Sequence, residues 1–204
     1  GAGLPDAGAV LRPLAAGGRS ITAVRRRYLG FLLCGLRPAR RSVYRTSITD
    51  QCTGLMNRSA YEKFLHGGEK HTSVPAVCIY IDVNGLHEIN NHLGHEYGDH
   101  MLRSIADGIR KYFPDDCAYR IGGDEFAVML DINLSPDQLE HLLTQFLRDI
   151  SGILEQVTVS CSIGAYRFVF PQEIKHLLTE TDRVLYQAKE NGRACFVIED
   201  STEK

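Results

Sequence analysis

The sequence predicts a mixed α/β fold in which apolar strand runs alternate with amphipathic helices around a central hairpin. Three observations predict it. Residues 74–82 form a nearly continuous apolar run ending in Asp82, as a strand buried on both faces would. Residues 118–130 place two apolar runs either side of Gly122-Gly123, with Phe126, Val128 and Leu130 alternating with Ala127 and Met129. Met101, Leu102, Ile105 and Ile109 recur at helical spacing, as do Leu139, Leu142, Leu143, Phe146 and Leu147.

Taken in order, the folded part begins near Ser47. The turn and helix-start residues of 49–58 lead into a helix over about 58–65, ended by Gly67-Gly68. The strand over 74–82 runs into a tight loop at Asn84-Gly85. Helical patterns follow at about 88–92 and 97–112, and Pro114 stops the second. In the hairpin, paired glycines suit a tight turn because they take positive φ at little cost. Residues 136–150 read as a helix. Residues 157–168 read as a strand pair, or as one strand broken at Gly164. A helix over 173–190 is capped near Gly192, and 195–198 closes as a short strand.

The 204 residues are 44% apolar and 24% charged, enough for one domain with an appendage. The net charge of −2 hides an asymmetry. Residues 1–48 hold nine arginines and one acid, whereas 49–204 carry a net −10. An acidic domain argues against nucleic acid as a partner, which requires a basic face. Residues 1–46 read as a basic arm or linker, Gly-, Ala- and Pro-rich over 1–18, with a short basic amphipathic helix at 20–36. That arm suits a link to an upstream sensor, a membrane-surface segment or a solvated tail. No run approaches the roughly 20 apolar residues of a membrane span. Six scattered cysteines, none in a Cys-x-x-Cys pair, fit a reducing cytoplasm.

Asp124 and Glu125 follow the hairpin glycines directly, and Asp82 ends another strand. Adjacent carboxylates repel when buried, and a divalent cation removes that penalty. If the two strands are neighbours, the three acids converge on one point. Read alone, the Gly-Gly-Asp-Glu turn is more simply a polar hairpin tip, and the three acids are solvated strand ends; the neighbouring motifs change that balance.

Four separated motifs, in order, resemble the GGDEF-type diguanylate cyclase family over about residues 47–198. They are Asp50-x-x-Thr53-Gly54-Leu55-x-Asn57-Arg58, then Asp82-x-Asn84-Gly85-Leu86-His87-x-x-Asn90 with Gly94-His95-x-x-Gly98-Asp99. Arg120-Ile-Gly-Gly-Asp-Glu-Phe126 and Leu185-Tyr186-x-Ala188-Lys189-x-x-Gly192-Arg193 complete the set. The resemblance implies an α+β fold with a central, mostly antiparallel sheet of about five strands, like polymerase palms and nucleotidyl cyclases. It implies a GGDEF domain over 47–204 that condenses two GTP into cyclic di-GMP and releases pyrophosphate. It also implies a homodimer of half-sites and cytoplasmic signalling.

The same resemblance assigns roles. Asp82, the Val83 carbonyl and Asp124 would hold Mg²⁺ or Mn²⁺, with Glu125 adjoining the metal and the reacting centre. Gly85, Leu86 and His87 would offer backbone N–H groups to phosphates, joined by Lys189 and Arg193. Asn90 and Asp99 would read guanine, and His95 would line the pocket. A zinc reading of His87, His92, His95 and His100 is weakened by Gly94 between them and by the lack of a joining cysteine.

The chain departs from the family pattern at several positions. His87 stands where Lys is usual, Cys52 where Leu is usual, and Ala194 where Asn commonly follows the last Arg. An inhibitory product site, Arg-x-x-Asp, reads Phe113-Pro-Asp-Asp116 here. A phenylalanine stacks on a base but lacks the charged fork that grips guanine and phosphate. No tight product inhibition through this turn is therefore expected. Two further readings stay open: a degenerate domain that binds GTP without turnover, and a membrane-docked scaffold using the arginine arm.

Overall fold

A computed structural model of the chain describes residues 47–66, 74–154 and 157–201. The basic arm and Gly67-Gly68 lie outside the described residues. In chain order the elements are β1 (Met56–Asn57), α1 (Arg58–His66), β2 (Val74–Val83), α2 (Leu86–Leu93) and α3 (His95–Tyr112). After a 3₁₀ turn at Asp115–Cys117 come β3 (Ala118–Arg120), β4 (Glu125–Leu130), α4 (Pro136–Ile150), β5 (Gly152–Leu154) and β6 (Val157–Val159). The chain continues through β7 (Cys161–Phe170), α5 (Ile174–Glu190) and β8 (Phe196–Asp200).

The main sheet has six strands in the order β1-β3-β4-β2-β7-β8, and β5-β6 form a separate ribbon. The three central pairings are antiparallel, while the edge pairs β1/β3 and β7/β8 are parallel. The expectation of about five strands is therefore one short. The missing strand, β1, pairs only Met56 with Tyr119 and Asn57 with Arg120. Two residues carry no period-2 pattern to detect.

Strand β2 is central because both its faces are apolar. Val77, Ile79, Ile81 and Val83 enter one core with Met101, Ile105 and Phe126. Ala76 and Cys78 enter a second core with Tyr119, Leu177 and Val184. Helices α3 and α4 cover the first face; α1 and α5 cover the second. Helix α4 starts at Pro136 because Ser135 and Gln138 exchange hydrogen bonds in a capping box. Such a cap contributes about 1 kcal/mol.

Two glycine readings change. Gly164 breaks nothing; it lies inside β7, and the interruption falls at Ser160. A Cβ on Gly164 would collide with the backbone of Leu185, so its glycine lets α5 lie directly on the sheet. Nor do Gly122 and Gly123 take positive φ. A Cβ on Gly122 would strike the Glu125 side chain, so glycine serves close approach there. The turn spans 121–124, and the N–H groups of Ile121 and Gly122 both donate to the Glu125 carbonyl, at 2.9 and 3.2 Å.

Phe113 is also reassigned. It caps α3, is 2% exposed and packs edge-on against Phe146 at 5.6 Å. It is core, so it has no face left to stack on a ligand. Burying such a ring contributes about 1.5–3 kcal/mol, which explains an apolar residue at this position. Among the described residues, no helix is long and apolar enough to cross a membrane. The five described cysteines are all free thiols.

Candidate active site

The site is built where β2 and β4 end together. Their antiparallel register sets Asp82 opposite Glu125. One residue earlier, the Asp124 carbonyl accepts the Val83 N–H at 2.9 Å. The three acids therefore sit at one sheet end. Burial lifts the Asp82 carboxyl above its ordinary range; Lys189 opposes that lift, and Asp124 adds to it. Glu125 is lifted in the same direction by burial, then by Asp124 and Asp82. The ammonium of Lys189, at the end of α5, donates to Asp82 Oδ2 at 2.7 Å.

Arg193 lies just beyond α5, where its N–H reaches the Ala188 carbonyl at 3.2 Å. Its charge favours the ionised form of Asp82. Arg193 and Ala194 both adopt left-handed backbone, with φ 63° and 49°, after Gly192 at 106°. An asparagine tolerates that conformation better than Ala194 does.

The loop after β2 is clamped from the side. The Asn84 N–H donates to the Ser160 carbonyl at 3.0 Å, and its amide bonds Ser160 Oγ and Ser162 Oγ at 3.1 and 2.9 Å. Gly85 then turns with φ 76° and opens α2. Helix first-turn N–H groups lack intrahelical acceptors, so the backbone at Leu86 and His87 is open to an anion. The Leu86 side chain is buried. The exposed His87 ring turns along its own helix, 2.9 Å from the Asn91 amide.

Helices α2 and α3 meet at Gly98, where a Cβ would collide with Asn90 Oδ1. That oxygen is buried and has no hydrogen-bond partner. Asp99, the next residue, is about half exposed and pairs loosely with Arg103 at 3.4 Å. The structure thus brings Asn90 and Asp99 to one helix crossing. His95 opens α3 and is exposed.

The predicted residues therefore fall into two groups. Asp82, Asp124, Glu125, Lys189 and Arg193 gather at the sheet end; Leu86, His87, Asn90, His95 and Asp99 lie on α2 and α3. The acid side chains are neighbours, but among the described residues no set of three His, Cys, Asp or Glu is arranged to hold a metal ion. Asp82 is instead engaged by Lys189. The donor set still suits a hard divalent cation: carboxylate oxygens, those of Asp82 and Glu125 raised in proton affinity by burial and neighbouring acids.

Sequence reading left four residues without a role. Asp50, in the turn before β1, accepts from Arg120 at 3.1 and 3.3 Å, and Arg120 also reaches the Gly123 carbonyl at 2.7 Å. Both stood in the quoted motifs, but nothing in a linear sequence says that they meet. Ser162 orients Asn84. Asp182 shares a cavity of about 350 Å³ with Tyr80, Ile121, Glu125, Leu178 and Thr179, between the hairpin and α5.

The family model for the diguanylate cyclase GGDEF domain matches residues 47–195. Diguanylate cyclase DgcS of Shewanella oneidensis is 34% identical over 153 residues, covering 72% of this chain and 51% of that protein. Cyclic di-GMP phosphodiesterase PdeR of Escherichia coli is 31% identical over 182 residues, covering 82% of this chain and 27% of that protein. The chain thus spans about half the length, or less, of these relatives. Among solved structures, the coiled coil and GGDEF domain of DgcB from Caulobacter crescentus superposes with a TM-score of 0.70 at 21% identity, covering 87% of this chain and 99% of that one. The six-stranded sheet, the motif-bearing strand ends and the family match agree: this chain belongs to the GGDEF-domain family of diguanylate cyclases.

Proposed function

We propose that the chain condenses two GTP molecules into cyclic di-GMP, working as a homodimer in which each GGDEF domain (47–204) supplies one half-site. The observation that carries this reading is the register of Asp82 opposite Glu125, with Asp124 hydrogen-bonded beside them and Lys189 and Arg193 facing the acids. In each half-reaction a 3′-hydroxyl oxygen bonds to the α-phosphorus of the facing GTP. The bond between that phosphorus and its bridging oxygen breaks, and pyrophosphate leaves.

Asp82, the Val83 carbonyl and Asp124 would hold Mg²⁺ or Mn²⁺, with Glu125 adjoining. Such an ion stabilises charge on the α-phosphate and the leaving group. Glu125, adjoining the reacting centre, would be placed to receive the 3′-hydroxyl proton. Lys189 and Arg193 supply cationic contacts to the terminal phosphates. The first turn of α2, from Gly85, offers N–H groups to the same anions. The unpartnered Asn90 Oδ1 and the acceptor oxygens of Asp99 complement the N1–H and N2–H₂ donors of guanine. The site would act in the cytoplasm. Residues 1–46 would link it to an upstream sensor domain or bring two copies together.

A second reading is a domain that holds GTP without turnover. Two observations favour it: Lys189 occupies Asp82, and the His87 ring is turned to Asn91. Incubation of the purified chain with GTP and Mg²⁺ separates the two readings. Cyclic di-GMP is expected, and Asp124→Asn combined with Glu125→Gln should abolish it while circular dichroism stays unchanged. Undiminished turnover in that double variant would sink the assignment.

A further inference from the structure

We infer that Arg120 is a positioning residue that sets the backbone of the catalytic turn, with Asp50 as its anchor. The inference rests on the cyclase reading above. One guanidinium makes two unlike contacts. Its Nη1 donates to both Asp50 oxygens, at 3.1 and 3.3 Å; its Nη2 donates to the Gly123 carbonyl at 2.7 Å. Gly123 immediately precedes Asp124. On the other side, the Asp124 carbonyl is held by the Val83 N–H at 2.9 Å. The peptide units on both sides of the Asp124 Cα are thus tied down, one to β2 and one to Arg120. Its carboxylate therefore swings from a backbone held on both sides.

The anchor is itself rigid. Asp50 Oδ1 accepts from the Thr53 N–H at 2.8 Å and the Thr53 hydroxyl at 2.7 Å. The Asp50 N–H and carbonyl close the same turn, to the Leu55 carbonyl and the Gly54 N–H, both at 2.8 Å. Arg110 holds that turn from α3 through the Thr53 carbonyl. Gly54 takes φ 71°, and a Cβ there would press on the Arg110 guanidinium. The side chains of Arg120 and Asp50 are only 16% and 23% exposed, so water competes weakly for that ion pair. The planar fork is essential. It reaches a carboxylate and a carbonyl in different directions, which the point charge of a lysine cannot do.

A merely structural salt bridge would support the fold without governing the turn. Arg120→Lys distinguishes the two roles, because it keeps a cation beside Asp50 but loses the reach to Gly123. Steady-state kinetics with GTP and amide hydrogen exchange at Ile121 and Gly122 are the readouts. The expected result is a kcat lower by about tenfold or more with KM for GTP within about twofold, and at least tenfold faster exchange at those two amides. Asp50→Asn, which can still accept from Thr53, should shift both readouts in the same direction by less. In a double variant, the losses should fall well short of the product of the two single effects. Unchanged exchange at Ile121 and Gly122, or a kcat loss that only tracks the unfolded fraction, would overturn the inference. If the wild-type chain makes no cyclic di-GMP, the functional reading fails, while the exchange measurement still decides whether Arg120 holds the turn.

Discussion

Asp50 and Asp82 are both partly buried carboxylates facing one basic side chain, yet their proton affinities move in opposite directions. Burial pushes Asp50 upward, but the Thr53 hydroxyl and N–H and the Arg120 guanidinium more than reverse it. Burial pushes Asp82 upward too; Lys189 opposes this, but Asp124 adds repulsion and the net shift stays upward. The difference is the number of donors. Asp50 has a closed set of hydrogen bonds, whereas Asp82 has one ammonium and acidic neighbours. A satisfied carboxylate builds structure; an under-satisfied one, among like charges at a strand end, is poised for a ligand.

The largest effect should be on turnover. Asp82→Asn removes a proposed metal ligand and is expected to lower the rate of cyclic di-GMP formation by more than about a hundredfold. Asp50→Asn should lower it far less. Equal losses would show that the two acids do not differ in kind.

Stability should rank the other way. Asp50→Asn strips charge from a partly buried, hydrogen-bonded pair and should cost about 2 kcal/mol in urea melts. Asp82→Asn, measured in EDTA, should be near neutral or stabilising, because the repulsion with Asp124 disappears. A cost for Asp82→Asn as large as that for Asp50→Asn would break the comparison.

The pH dependence sharpens it further. The folded pKa of Asp50 is depressed, so its contribution stands above the unfolded value, near 3.8, and is lost as pH falls through the folded pKa. The folded pKa values of Asp82 and Glu125 are raised, so their charged forms weaken the fold at neutral pH. That penalty shrinks as pH falls through the folded values towards the ordinary ones, 3.8 and 4.5. In EDTA, the stability difference between wild type and Asp82→Asn should therefore shift in favour of wild type on mild acidification. The difference for Asp50→Asn should collapse only in stronger acid. Differential melts across that range provide the check.

The smallest effect concerns the loop that carries Arg193 towards Asp82. Ala194 sits at φ 49°, where an L-residue with a plain Cβ is strained. Ala194→Asn should raise stability by about 1 kcal/mol with little change in turnover. A destabilised variant would mean that the loop is held by something other than backbone preference.

The sequence made most of this fold legible where local chemistry and long-range packing agree. Helix α4 is an example: Ser135, Pro136 and Gln138 state its start, and its apolar stripe states its face. The central strands are another, because a run buried on both sides has few alternatives. The misreadings came where a residue answers to the side chains and backbone packed around it rather than to its own backbone preference. Gly164 looked like a break, but it makes room for the Leu185 backbone. Gly122 looked like a positive-φ turn residue, but it makes room for the Glu125 side chain. Phe113 looked like a ligand-facing substitute for arginine, but it fills the space beside Phe146.

By itself, the sequence determined the alternation of strands and helices, the hairpin, and which acids, amides and cations stand at element ends, because periodicity and turn chemistry are local. The tertiary structure alone decided their partners. It set Glu125 opposite Asp82, brought Lys189 onto Asp82 across 107 positions, and joined Arg120 to Asp50 across 70. Sheet register and helix packing bring such groups together. The resulting proton affinities and backbone constraints depend on distances that no linear spacing encodes.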